Sequence, residues 1–438
     1  MGMQQVLLWT LAASMCVLRV SGLEFDAAEE GGGGSSFLMH DSKLVVKTSA
    51  GHMSVVRGLG RLQMQTSMHI GFISMDPNSL FVPQYMDSNL ILFLHQGQAK
   101  VGSICEDELV ERGLSEGDVF RIPAGSAFYI LNKHSETLNI VCSIDMSDSL
   151  GGGPFQAFSI GGGTFPKSVL AGFSHNALTS AFNVSMEQLG KIMTRQDKGP
   201  IISLSDPATV LFEMKEAERI KLLKKAIQVD DQDEEFNDRS WSWRKLLSSV
   251  FGQAEEPKHS GHVINLYDRK PDFKNDYGWS VSIDQKHYSP LKHSGIGIYY
   301  VSLSAGSMLA PHVNPTATEY GIVLRGTGSI QIVFPNGTSA LDAKVKAGDV
   351  FWVPRYFPFC QIASGDEALE FFGFTTSSHA NKPRFLAGSG SVLQTLRGPE
   401  IAAAFGVSLR TLETIIDAQT QSVILPVSNP AEPEIADA

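Results

Sequence analysis

Cysteine is scarce in this chain, with four in 438 residues. One, Cys16, falls in an apolar leader, and the three left, Cys105, Cys142 and Cys360, allow at most one intramolecular disulfide, which excludes a disulfide scaffold. Charge is sparse as well. Asp, Glu, Lys and Arg make up 18% of the residues, and 35 basic against 46 acidic side chains leave a net charge of −11. Without a run of Lys or Arg there is no phosphate-binding stripe, which argues against nucleic acid as a partner. Beyond the leader, no apolar stretch reaches membrane-spanning length free of charges, so no membrane anchor is expected. The glycine clusters GGGG at 31–34 and GGGTFP at 161–166 are not followed by the Lys-Ser/Thr of a phosphate loop.

What is present is a globular composition, 43% apolar, in a chain long enough for two domains with sizeable cores. The opening MGMQQVLLWTLAASMCVLRVSG, with its short apolar run and small residues at its end, reads as a secretory signal peptide over residues 1–22. Two N-x-S/T sequons, at Asn183 and Asn336, would be open to glycosylation in that compartment. From residue 37 to about 149, and again from 262 to about 376, short runs rich in Val, Ile, Leu and Phe alternate with Gly, Pro, Asn and Asp, the texture of many short strands. Each strand-rich block is followed by a segment with apolar residues at helical spacing, 168–195 and 385–418.

The two blocks are copies. Gly117-Asp118-Val119-Phe120 is answered by Gly348-Asp349-Val350-Phe351 and Pro123 by Pro354, both at an offset of 231, and AFNVSMEQL at 181–189 by AFGVSLRTL at 404–412. Matched segments in the same order indicate a tandem duplication. Between the copies, 201–261 reads as an acidic, partly disordered linker in which Trp241, Trp243 and Phe251 suit a short amphipathic helix. The remaining expectations are a disordered segment over 23–36, a first domain over 37–200, a second over 262–426 and a disordered tail over 427–438.

In the second copy, Gly306, His312, Asn314, Glu319 and Gly326 keep every spacing of the first cupin motif, with Asn for its second His. In the first copy, Gly117, Pro123, Gly125, Phe128 and Asn132 keep the second cupin motif, with Phe for its His. With the helical blocks, the HVINLYDRKPDFKNDYGWS stretch and NPTATEYGIVLRGTG, the chain from about residue 37 to about 426 resembles the vicilin-like 7S seed storage globulins of plants. That resemblance implies a mainly β fold of two tandem cupin (jelly-roll) β-barrels, each followed by a helical extension. It further implies a homotrimer built through those extensions, passage through the secretory pathway to the protein storage vacuole of the seed, and a role as a nutrient reservoir rather than an enzyme. The chain departs from the storage vicilins in lacking their Arg, Gln, Asn and Glu tracts, while carrying 14 Met and 41 Gly.

The chemistry, if any, gathers in the second copy. Its second motif counts to Phe359 in the His slot, with Cys360 one position late, and a bulge at Pro358 would turn Cys360 inward. His312 and Cys360, near the amide of Asn314, would then suit a copper or zinc ion. His379 is a further candidate donor from the barrel mouth, and Glu319 is either a ligand or the acceptor that orients His312. Against this stands the plainer reading of Cys360 as a small buried hydrophobe. A small carboxylate or hormone-like ligand bound in the second barrel is the alternative to pure storage, with a cupin oxidase behind it. The first copy, with Phe128 in the His slot, is expected to be metal-free and filled with apolar side chains.

Overall fold

The computed structural model describes residues 37–39, 42–56, 68–105, 108–145, 149–151, 153–204 and 263–427. The signal peptide, the 23–36 segment, all but the first four residues of the linker and all but the first residue of the tail lie outside those residues. Alternating buried and exposed positions in runs such as Met68–Met75 and Gly297–Leu303 put one face of each strand against a core. The described strands form four antiparallel sheets, two per copy. In the first copy a seven-stranded sheet faces a six-stranded one, and in the second two six-stranded sheets face each other. These are the two jelly-roll barrels that the resemblance implied, one in each of the duplicated copies.

The repeat reaches down to single turns. Gly117 and Gly348 both have positive φ, 87° and 92°, in a turn that an L side chain rarely adopts. In each copy the following Asp closes that turn by accepting a backbone N–H three residues back: Ser115 N to Asp118 Oδ2 at 2.7 Å, and Lys346 N to Asp349 Oδ2 at 2.9 Å. The helical extensions repeat in the same way. Asn183 and Gly406, both left-handed, follow the helices His175–Phe182 and Pro399–Ala404. Ser185 and Ser408 then cap Met186–Thr194 and Leu409–Asp417 through their hydroxyls.

The barrels are not separate bodies. Phe93 of the first and Phe372 of the second stack at 4.0 Å between ring centroids, with planes 8° apart, and both are fully buried. Val56, Met68, Ile70, Ile91, Val119 and Val141 belong to the same continuous core as the second barrel. Each copy also lends a short piece of chain to the other. Ile264–Asn265 pairs with Asp118–Ile122 at the edge of the first barrel's larger sheet. In return, Phe37–Met39 lies along the second barrel, where Leu38 bridges to Phe351 and Met39 N donates to Val350 O at 2.8 Å. Phe37 fills a pocket between Phe334, Trp352 and Phe357. The first residues of each expected domain thus complete the opposite barrel, because a jelly-roll sheet edge needs a partner strand and the neighbouring copy supplies it.

Candidate functional site

The first barrel is filled. Phe128 is buried and packs edge-on to Phe81 at 6.4 Å, within an apolar core that includes Leu92, Ile130 and Cys142. Cys142 and Cys360 are both buried free thiols, so Cys142 takes no part in a disulfide.

In the second barrel, His312 lies on Ser307–Val313, whose neighbours are Pro358–Ala363, Arg384–Phe385 and Ile424–Pro426. The pairing with Pro358–Ala363 slips by one residue between Leu309 and His312, across Ala310 and Pro311. The first barrel slips at the same place, between Phe81 and Gln84, across Val82 and Pro83. A proline has no N–H to give to the ladder, and a bulge is where a sheet tolerates it. The irregularity therefore sits in the strand that carries His312 and not at Pro358, whose strand runs in unbroken register against Thr327–Val333.

That register decides Cys360. Phe359 is the cross-strand partner of His312, with ring centroids 4.1 Å apart, so the two share the barrel interior. Cys360, the next residue, points to the opposite face. There it pairs with Gln331 and sits 3.7 Å from the Gln331 amide oxygen. Burial, and then the charge of Asp342, push its thiol up to about 11, so it is not a thiolate at neutral pH. The inward-turned Cys360 expected from a Pro358 bulge is thereby corrected.

The other candidates are engaged locally. His312 is 2% exposed, lies between Phe359 and Phe385, and donates from Nδ1 to the carbonyl of Ala310 at 2.7 Å. A carbonyl can only accept, so the proton is on Nδ1 and Nε2 carries the lone pair. Desolvation, partly opposed by that hydrogen bond, drives its pKa down to about 4. Asn314 shapes the loop into the next strand: its Oδ1 accepts from Thr316 N, Thr316 Oγ1 and Ala317 N at 3.0, 2.9 and 3.1 Å. Its Nδ2 donates to Glu319 Oε1 at 2.8 Å. Glu319 is 5% exposed, and burial raises its pKa against the hydrogen bonds from Asn314, Asn381 and Tyr299. It does not orient His312. His379 is exposed, with Nδ1 3.3 Å from the Gln285 amide nitrogen.

Among the described residues, no three His, Cys, Asp or Glu side chains come together in a way that could hold a metal ion. His312 and Cys360 face opposite sides of one sheet, and Asn314 has spent its oxygen on a turn. The residues present do not fit a thiolate and imidazole site for copper or zinc.

The sequence matches the Cupin family over residues 41–188 and 264–413. A vicilin-like seed storage protein of Arabidopsis thaliana is 48% identical over 428 residues, covering 93% of this chain and 83% of that one. The chain is a vicilin-type bicupin. The solved vicilin of Corylus avellana shares its fold, with a TM-score of 0.73 at 24% identity over 90% of this chain and all of that one. A vicilin of Solanum melongena, solved with different anionic ligands in structurally similar pockets, has a TM-score of 0.73 at 19% identity, covering 90% of this chain and 98% of that one.

In this vicilin the space that a cupin metal would occupy opens into a cavity of about 210 Å³. Its walls include Leu309, His312, Glu319 and Phe385, but also Tyr299 and Asn381, which the motif spacing did not single out. Tyr299 lies two β-positions into Gly297–Leu303, and nothing in its local text marks it. Asn381 comes from the loop after the last barrel strand and reaches Glu319 at 3.4 Å. Gln361, across from Leu309, is 1% exposed, and among the described residues neither of its amide atoms has a hydrogen-bond partner. A buried amide inside an apolar alternation is the one signal that could have drawn attention to it.

Proposed function

We propose that this vicilin is a nutrient reservoir of the seed, delivered through the secretory pathway to storage vacuoles, and that it performs no catalytic step. The observation that carries this reading is the likeness to the Arabidopsis thaliana seed storage protein over nearly the whole chain. In the barrel interior His312 and Glu319 are buried beside aromatic side chains, Phe359 and Phe385 against the imidazole. The chain is expected to accumulate during seed maturation and to disappear on germination, as measured by quantitative mass spectrometry of staged tissue. A constant trace level through both stages would end the storage reading.

The assembly we propose is a closed trimer through the helical extensions. Their outward faces carry Phe173, Phe182, Met186 and Ile192 in the first copy, and Leu396, Phe405, Leu409 and Ile415 in the second, all exposed. The second extension has only Ala402, Leu412 and Ile416 as its own buried core, too little to stabilise three helices by itself. Two different apolar faces on one chain favour a head-to-tail contact, which closes into a ring when the rotation allows. Light scattering of the wild type should give three chains, and Phe405→Glu with Ile415→Glu should give one. A double variant that stays trimeric would place the interface elsewhere.

The anionic ligands of the Solanum melongena protein are not carried over to this chain. Asp272, Asp284 and Glu319 line the cavity, and no Lys or Arg is among the described residues that line it, so a small carboxylate would meet acidic side chains without a Lys or Arg to pair with.

A further inference from the structure

We propose that the cavity of the second barrel is a binding site for a small organic ammonium compound, an amine on a one-ring or short aliphatic body. This goes beyond the storage reading and does not depend on it.

Size comes first. A cavity of about 210 Å³ exceeds the roughly 150 Å³ that accommodates benzene in a protein core. It has room for one ring with a short arm. The body of such a ligand would meet Phe273, Tyr299, Phe371 and Phe385, four aromatic side chains along one cavity. Aromatic faces attract a cationic head as well as an apolar body.

The polar groups decide the charge of that head. His312 Nε2 bears a lone pair and, among the described residues, has no hydrogen-bond partner, on a residue 2% exposed that lines the cavity. It offers an acceptor and asks for a donor. Glu319 is fixed by Asn314 at 2.8 Å and Asn381 at 3.4 Å, both to the same oxygen, Oε1. At the opening, exposed Asp272 is held by Ser282 N and Oγ at 2.7 and 2.6 Å, and buried Asp284 by Lys286 N at 2.8 Å. His287 Nδ1 also lies 3.0 Å from Asp284. The carboxylates along the walls meet no Lys or Arg among the described residues there, and His312 Nε2 is an open acceptor, and an ammonium N–H matches both features. A carboxylate of the same shape matches neither.

The test uses the full-length protein and titration calorimetry with three isosteric probes: phenethylamine, phenethyl alcohol and phenylacetate. The expected result is saturable binding of one phenethylamine per chain, with phenylacetate at least tenfold weaker. Glu319→Gln should cost the amine about tenfold while leaving the alcohol unchanged, and Leu309→Trp, which fills the cavity, should abolish binding of all three. If Glu319→Gln does not fold, Asp272→Asn at the opening should reduce the preference for amine over alcohol in the same direction. Equal or tighter binding of phenylacetate, no saturable binding of phenethylamine, or an amine preference untouched by both acidic substitutions would each overturn the proposal. Seed accumulation is measured separately, so the storage reading stands or falls without it.

Discussion

Phe372→Ala is expected to destabilise the protein by about 3–5 kcal/mol, the range for removing a fully buried phenylalanine. The ring has no exposure, stacks on Phe93 at 4.0 Å and meets Phe374 edge-on at 4.9 Å. Its removal leaves a void between two barrels rather than inside one. Neither sheet can collapse into that void without shifting its whole barrel. Phe93→Ala should cost a similar amount, and the double variant should reveal a coupling of about 1 kcal/mol for the stacked pair. Denaturant unfolding of the four proteins measures this directly. A loss under about 1 kcal/mol for Phe372→Ala would mean that each barrel is stable by its own packing, contrary to the continuous core described above.

Acid is expected to weaken the fold through His312. Its pKa falls from 6.5 to about 4 on folding. Between those values the unfolded chain takes up a proton that the folded chain refuses. The contribution of the neutral imidazole is thus complete above pH 6.5 and is lost as the pH falls towards 4. The slope approaches about 1.4 kcal/mol per pH unit, or on the order of 3 kcal/mol over the window. Glu319 acts in the other sense. Its folded pKa is raised by burial, so its contribution is complete below the ordinary glutamate pKa and is lost as pH rises through the folded value. The two oppose each other where their windows overlap. His312→Gln, neutral at every pH, should flatten the acid limb of a stability profile, and Glu319→Gln should steepen it. Identical profiles for wild type and His312→Gln would show that the imidazole is solvated in the folded protein.

The barrel architecture was legible because a duplication writes local rules twice. Gly117 and Gly348 need a left-handed turn, Asp118 and Asp349 close it, and Ser185 and Ser408 cap a helix, all within a few residues of chain. Strand alternation and motif spacing likewise require no knowledge of distant residues. The place of His312, Asn314 and Glu319 near one another was readable for the same reason, since the first cupin motif is a strand, a turn and a strand. Their roles were not. Whether Asn314 offers its oxygen to an ion or to Thr316 and Ala317 depends on how the turn closes.

Cys360 shows where local reading ended. Its direction turned on whether a bulge fell at Pro358 or at Pro311, one residue of register between two strands some fifty positions apart, and each choice satisfied the sequence equally. The cavity was likewise beyond reach, because Tyr299, Glu319, His312 and Asn381 arrive from four separate segments and are neighbours only when both sheets close. So too was the exchange in which Phe37 completes the second barrel and Ile264 the first. Sequence by itself determined the period of the strands, the turns, the caps and the repeat, since these are energies of adjacent residues. Tertiary structure alone decided which face a side chain shows, what fills or empties a barrel, and which copy borrows which edge, since these are set by packing between residues that the chain keeps far apart.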